Sequence, residues 1–517
     1  MNLVSDRWLC CVSFEGEKEC ISPIGLGGAQ WRDIRSARPD FRGALYQFLI
    51  GLLQTAYAPE DLDEWRERFA NPPDTEILSA AFATWQDAFH LESDGPAFMQ
   101  DLALPQEVNQ LPVLELLIDA GSASNLYFNK PIQNHGLCES CCAQALLTLQ
   151  LNAPSGGRGV RTSLRGGGPL TSLLLPVGEN ATLWQKLWLN VLPQDVLDQP
   201  PIKTPSDVLP WLAATRTSDD KGGQETPPES VHPLQAYWSM PRRIRLDIST
   251  AHHGDCSLCG ASDVRLFRHY YTRHGGTNYT GAWTHPLTPY CLDSNGKKPP
   301  ISIKGRQAGR GYRDWLGLVL GNDDHQPDAA KVVAHFTAKL NKPAVRLWCF
   351  GYDMSNMKAL CWYDSTLPVH AIPADIQRAF TKSVKQILDS ANDMATVLHK
   401  QVKAAWFRRP GDVGAEPAVQ QSFWQGSEVT FYRVLNELSA LDFEREADLA
   451  LVYRSWLLDT RRQVLELFDH WVLSGPVEDM DLQRVVKARA DLAKDLNSGK
   501  SVKPLWKIVN QYHKEQA

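Results

Sequence analysis

The sequence predicts an α+β protein in two parts. A large mixed N-terminal domain with a structural zinc site covers residues 1–368, and a C-terminal four-helix bundle covers residues 369–517. Three observations predict this. Up to about residue 368, short strand-like and helix-like runs alternate with turn formers. After Pro373, apolar residues recur at steps of three and four. Two Cys-x-x-Cys pairs, Cys138/Cys141 and Cys256/Cys259, supply the four thiolates of a closed tetrahedral zinc site.

In the first part, ALYQFLIGLLQTA (Ala44 to Ala56) reads as a buried helix, and Val113 to Ile118 lies in another. Phe98-Met99-Gln100 follows a Gly-Pro turn. A glycine-rich loop, SGGRGVRTSLRGGGP, runs from Ser155 to Pro169, and residues 215–230 are polar and rich in turn formers. No internal repeat is visible. In the second part, Ile376, Phe380, Val384, Ile387, Ala391, Met394 and Leu398 make one apolar stripe on a long helix. Further helices are predicted from about Gln420 to Leu438, Glu444 to Leu473 and Leu482 to Leu496. Gly475-Pro476 and Asn497-Ser498-Gly499 stop the last two. Four amphipathic helices with short connections pack naturally as an antiparallel bundle.

Composition narrows the function. With 517 residues, 43% hydrophobic and 22% charged, the chain can bury a sizeable core and does not read as disordered. The start, MNLVSDRWLCCVSFEG, lacks the basic and apolar regions of a signal peptide, and apolar runs such as Leu173 to Val177 are too short to span a bilayer. A cytoplasmic, membrane-free protein is expected. The net charge of −6 excludes an overall positive coat but not a local basic groove.

Eleven cysteines in a long cytoplasmic chain point to reduced thiols or metal ligands. More than a hundred residues separate the two Cys-x-x-Cys knuckles, so the fold must bring them together if they share a metal. The alternatives are buried free thiols or a redox pair, although neither knuckle has a thioredoxin-like strand–motif–helix setting. His135, His252 and His253 are candidate substitute ligands, and Cys142 is an extra thiol expected to point into the packed face of its helix. A four-thiolate site has no open position for water, so zinc there would be structural. The H-x-E and P-C-x-x-C pattern of zinc deaminases is missing.

The glycine loop offers Arg158, Arg161 and Arg165 for phosphate contact or minor-groove entry, and equally reads as a plain surface loop. It is neither a Walker loop nor a dinucleotide fingerprint. Asn125 to Lys130, and Arg265, Arg268 and Arg273 among Phe267, Tyr270 and Tyr271, are basic-aromatic segments suited to nucleic acid or to core packing. No carboxylate pair or nucleophile–histidine arrangement suggests an active site.

An ordered set of motifs resembles the CasA family, the large subunits of type I-E CRISPR Cascade surveillance complexes. It comprises Asn2-Leu3 with Asp6 and Trp8, Phe98-Met99-Gln100, Phe128-Asn129-x-Pro131, Leu137-Cys138-x-x-Cys141, and Ala153-Pro154-x-Gly156-Gly157. Ser163-Leu164-Arg165-Gly166-Gly167, Cys256-Ser257-x-Cys259-Gly260, Trp283-x-His285-Pro286 with Pro289, and Gly351-Tyr352 follow in the same order. The resemblance implies a non-catalytic subunit that reads the protospacer-adjacent motif (PAM) in double-stranded DNA, helps unwind it into an R-loop, and recruits a helicase–nuclease in antiviral defence. The implied partners are crRNA and the backbone, small and crRNA-end-binding Cascade subunits. Guide pairing then reads the long sequence and protein reads the short motif.

By the same resemblance, the family's glycine loop falls on Ser155, Gly156, Gly157, Arg158 and Gly159, and its minor-groove lysine on Arg273 or His274. Its wedge hairpin falls on Met354, Ser355, Asn356 and Met357. The glutamine that the family's wedge can carry is missing, which leaves Asn356 or Met357 to pry the base steps. Its L1 loop falls on Tyr127, Phe128, Asn129 and Lys130, and its metal-binding cysteines on Cys138, Cys141, Cys256 and Cys259. Lys400, Lys403, Arg408 and Arg409 are candidates for the displaced-strand path, or simply a solvated face. The competing readings are a stand-alone structural or catalytic zinc protein unrelated to DNA, and a pure protein scaffold.

Overall fold

The computed structural model describes residues 1–105, 107–119, 136–157, 159–197, 199–218, 222–293, 297–306, 309–321, 328–340, 342–355, 358–412, 414, 416–475 and 480–513. Tyr127, Phe128, Asn129, Lys130, His135, Arg158, Asn356 and Met357 therefore lie outside the described residues. The chain divides into two compact units: residues 1–309 with 321–369, and residues 310–320 with 370–517.

The first unit is built around the helix Pro39–Ala56. Proline at its first position and Asp40 in its first turn suit a helix N-terminus. Every residue from Gly43 to Thr55 is buried, as expected of a helix that is apolar nearly all round. Phe48 projects into a cage of rings, meeting Trp8, Phe89, Phe98 and Trp238 edge-on at centroid distances of 5.7–6.0 Å. The buried indoles keep their hydrogen bonds. Trp8 donates to the Leu3 carbonyl, Trp211 to the Ala88 carbonyl and Trp238 to Thr55 Oγ1. Phe98-Met99-Gln100 belongs to this core, where Gln100 donates to the Leu91 carbonyl and accepts from the Leu246 N–H.

Small sheets surround this core. Strands Leu9–Ser13, Lys18–Ile21 and Trp31–Ile34 form one antiparallel sheet with Leu9–Ser13 central. Strand His269–Arg273 lies between Asn109–Pro112 and Arg243–Leu246. The longest pair is the hairpin Val345–Ser355 and Lys358–Pro368, with Thr171–Pro176 added beside Val345–Ser355. Val113–Leu116, predicted as part of a helix, is a single 3₁₀ turn. The backbone turns extended at Leu117 (φ −76°, ψ 118°), which ends the helical run after one turn.

In the second unit the predicted stripe lies on the helix Gln377–Trp406, with Phe380, Val384, Ile387, Ala391, Met394 and Leu398 all buried. It packs against Glu446–Leu473 and Leu482–Asp495, and Trp456 of the former donates to Ser390 Oγ at 2.9 Å. The helix predicted over Gln420 to Leu438 is two helices, Pro417–Gly426 and Glu428–Ser439. Ser427 marks the break. Its hydroxyl bonds back to the Phe423 carbonyl at 2.6 Å, a contact that bends helices, and meets the Tyr312 hydroxyl at 2.7 Å. A helix over Val502–His513, beyond the last one predicted, packs on Glu446–Leu473. No helix among the described residues is long and apolar enough to cross a membrane.

Tyr312, with Trp315, joins residues 310–320 to this unit: its ring stacks on Phe431 at 4.5 Å and is almost fully buried. Tyr312→Ala should cost about 3 kcal/mol, as large aromatic truncations in cores do. In hydrogen exchange, amides of residues 417–439 should lose protection while those of Pro39–Ala56 keep it.

Candidate metal centre and its surroundings

The first knuckle sits where a strand turns into a helix. Leu137–Cys138 is a short strand, and Cys138 is the N-cap of the helix Glu139–Asn152, its Sγ accepting from the Cys141 N–H at 3.5 Å. Cys-x-x-Cys at a helix start puts both thiols at the same helix end. The second knuckle follows strand His252–Gly254 as a turn: the Cys256 N–H donates to the Ala261 carbonyl, and the Gly260 N–H to the Cys256 carbonyl.

Backbone pairing brings the knuckles together. Strand Val264–Phe267 has Leu137–Cys138 on one side, with Leu266 opposite Cys138, and His252–Gly254 on the other. The Ser257 N–H also donates to the Gly136 carbonyl at 3.0 Å, and the Cys138 N–H points to Cys256 Sγ at 3.3 Å. Gly136 has φ +113°, and a Cβ there would lie 2.7 Å from the Phe267 carbonyl oxygen, so this turn takes only glycine.

The four sulfurs all lie within 4.8 Å of one another, with Cys138 and Cys259 at 3.7 Å. A disulfide would need about 2.05 Å. Four sulfurs about 2.3 Å from a tetrahedral metal are about 3.8 Å apart, so the donor set and spacing fit such an ion. Electrostatics agree. Hydrogen bonding to Cys138, then to Cys256 and Cys259, together with burial, pushes Cys141 up. Bonds from Cys138 first and then Cys141 hold Cys256 down, and bring Cys259 to about 6. Protons left on some thiols stabilise the others as thiolates, a job a cation does better. Cys142 is fully buried, its Sγ facing the Leu137 carbonyl at 3.5 Å, so it packs and does not join the cluster. His253 is exposed near Asp263, and His252 is not in the cluster either.

The glycine loop starts where the knuckle helix ends. Ser155, Gly156 and Gly157 are exposed. The Gly159 carbonyl accepts from the Gly275 N–H at 2.8 Å, which sets this loop beside Arg273 and His274. Its far end touches the hairpin: at Gly168, φ +57°, a Cβ would lie 2.7 Å from Met354 Cγ. Met354 and Ser355 end one hairpin strand, and Ser355 pairs with Lys358. The structure thus brings together the described parts of three segments that the sequence marked separately.

Other sequence-marked residues make contacts within the chain. Arg165, offered above for phosphate contact, is buried and spends its guanidinium on three neutral acceptors, Gln47 Oε1, Thr171 Oγ1 and Thr288 Oγ1. Burial lowers it to about 10. Arg265 is ion-paired with Glu92, and Phe267 and Tyr270 are core residues, so the basic-aromatic segment presents Arg268, Tyr271 and Arg273 instead. Arg161 donates to Ser218 Oγ at 2.8 Å. Lys400 pairs with Asp495. Trp283 donates to the Thr226 carbonyl, and His285 is neutral, driven down by burial and then by Arg165, with Nδ1 accepting from the Leu287 N–H. Lys304 was not marked by any motif. Its ammonium donates to the Arg165 carbonyl at 2.6 Å and to Ser302 Oγ at 2.7 Å, tying down the glycine loop.

The family model for CRISPR-associated protein Cse1 matches residues 2–467. The fold is similar to that of Thermus thermophilus CasA (Cse1), with a TM-score of 0.69 and 18% identity over 98% of this chain and 99% of that one. It is similar to Cse1 from Acidimicrobium ferrooxidans, with a TM-score of 0.69 and 16% identity over 99% of each chain. It is also similar to a chain of a CRISPR RNA-guided surveillance complex, with a TM-score of 0.67 and 15% identity over 96% of this chain and 99% of that one.

If the four sulfurs hold a metal, elemental analysis should find about one ion per chain, as a closed four-thiolate site requires. Cys141→Ser and Cys256→Ser should lose it, and Cys142→Ser should retain it. Chelation under denaturing conditions followed by refolding without metal should expose the amides of residues 137–138 and 264–267 to exchange.

Proposed function

The chain belongs to the CRISPR-associated Cse1 (CasA) family, and we propose that it is the non-catalytic large subunit of a cytoplasmic type I-E Cascade complex. In that role it reads the PAM in double-stranded DNA, helps open the duplex for crRNA pairing, and recruits the helicase–nuclease. It assembles with crRNA and the backbone, small and crRNA-end-binding subunits. The C-terminal helices form a four-helix bundle in which Pro417–Gly426 and Glu428–Ser439 together make one arm, and this bundle faces protein partners.

The observation that carries the reading is the junction at the glycine loop. Exposed backbone at Ser155, Gly156 and Gly157 adjoins Arg273 and His274 through the Gly159–Gly275 bond, and the hairpin through Gly168 and Met354. Side-chain-free backbone beside a cation suits close approach to a minor groove, and Met354, packed on Gly168, braces the hairpin whose Asn356 or Met357 would wedge between base steps. Two cations add positive potential under the loop: the buried Arg165, whose side-chain acceptors are neutral, and the half-buried Lys304. Tyr127, Phe128, Asn129 and Lys130 serve as a further contact loop, and Arg158, Asn356 and Met357 complete the groove-reading and wedge segments. The ion at Cys138, Cys141, Cys256 and Cys259 is zinc, because four thiolates in a closed tetrahedron are its ordinary structural ligand set. It braces the loops and does no chemistry.

Complex reconstituted without this chain should keep its crRNA and lose binding to duplex target; unchanged duplex binding would refute the proposal. Arg273→Glu should weaken binding to PAM duplex at least tenfold and binding to pre-opened target far less, with a shallower salt dependence on duplex. A pH effect follows from Lys304, which burial first and then the charge of Arg165 lower to about 8. Its positive charge declines as pH rises through that value. Duplex affinity should therefore fall from pH 7 to 9 more steeply in the natural protein than in Lys304→Met, which should bind more weakly at pH 7.

A further inference from the structure

Two cysteines outside the four-sulfur cluster face each other across neighbouring strands. Cys10 lies in Leu9–Ser13 and Cys20 in Lys18–Ile21, and the antiparallel register sets them directly opposite. The strands are joined by a tight turn in which the Ser13 N–H donates to the Glu17 carbonyl at 2.9 Å. Counting back two residues at a time from that hydrogen-bonded position makes Cys10 and Cys20 a non-hydrogen-bonded pair. Such pairs have the closer backbone spacing, about 4.5 Å between Cα atoms. Disulfides span about 4.4 to 6.8 Å between Cα atoms, so the pair can be bridged without moving the strands. Directly opposite residues of an antiparallel pair put their side chains on the same face of the sheet, with Cβ atoms about 4.5–5.5 Å apart.

The pair is also reachable. Cys10 is exposed and Cys20 half-buried, whereas Cys11, next in the chain, is fully buried. Both open on a cavity of about 690 Å³ that Cys259, Arg35 and Arg265 also line. Arg265 is already ion-paired with Glu92, but Arg35 is exposed at the cavity and offers a cation to an anionic small molecule.

We propose that Cys10 and Cys20 are a reversible dithiol–disulfide site, closed by a small anionic disulfide of the glutathione type. The Cys20 thiolate attacks one sulfur of glutathione disulfide, forming a mixed disulfide and releasing one glutathione thiolate. The Cys10 sulfur then attacks Cys20 Sγ, forming the Cys10–Cys20 bond and releasing the second glutathione. The two protein thiols give up two protons and two electrons, and glutathione disulfide takes them up as two thiols. The bond would fasten the two-strand turn at the rim of the cavity where Cys259 is exposed. The site is independent of the nucleic-acid reading.

The test uses the full chain, incubated with glutathione disulfide, alkylated without reduction and cleaved with trypsin. Lys18 separates the two cysteines, so the bond appears as residues 8–18 joined to residues 19–32. The joined peptide should form in the natural protein, revert on addition of dithiothreitol, and disappear in Cys10→Ser and Cys20→Ser. Fragmentation of the natural protein's joined peptide should place the bond on Cys10, not Cys11, without relying on a core variant that misfolds. A bond that persists in Cys10→Ser, a bond from Cys20 to the Cys259 peptide, or glutathione left on Cys20 with no joined peptide would each overturn the proposal.

Discussion

Four cysteine sulfurs within 4.8 Å, three of them buried, cannot all carry charge without a cation among them. Like charges at that spacing and burial hold protons on the thiols, and only a metal or those protons can balance the cluster. The segments around the two knuckles assemble it. A strand turns into a helix at Cys138, the strand Val264–Phe267 clasps that turn, and Gly136 passes close beneath the Phe267 carbonyl. The clasp joins chain segments more than a hundred residues apart, so it closes a long loop.

The consequences run outward from the clasp. The knuckle helix Glu139–Asn152 leads directly into the glycine loop, and strand Val264–Phe267 leads, after Arg268, into the strand that ends at Arg273. Fixing the two knuckles therefore fixes where both segments start, and the Gly159–Gly275 bond rejoins them further on. Lys304 and Arg165 hold the other end of the loop from below, and Gly168 presses it against Met354 of the hairpin. Rigid support for an exposed, side-chain-poor backbone is what recognition by shape requires, since a slack loop would have to be ordered each time it bound.

Much of this was legible in the sequence. The α+β character, the long amphipathic helix after Pro373 and the two knuckles follow from periodicity and spacing, and the ordered motifs identify the family. Other features were not, because they depend on tertiary partners. Arg165 reads as a surface arginine in a glycine-rich loop, and only the fold reveals Gln47, Thr171 and Thr288 around it. The break at Ser427 is set by a back-bonded hydroxyl and by Tyr312, more than a hundred residues earlier. Lys304 has no local signal, since its acceptor is a backbone carbonyl of the glycine loop. The pairing of Cys10 with Cys20 needs the strand register, which a reading of single residues does not supply.

The most direct test of the central claim is photo-crosslinking in the assembled complex. A target duplex carrying a photoreactive group in the minor groove of the PAM should be used, with crosslinked peptides identified by mass spectrometry. The crosslinks are predicted to fall on residues 155–159 and 273–274, with a group at the first unpaired step reaching residues 354–357. Crosslinks confined to other parts of this chain, or to other subunits only, would contradict the role assigned to the glycine-loop junction.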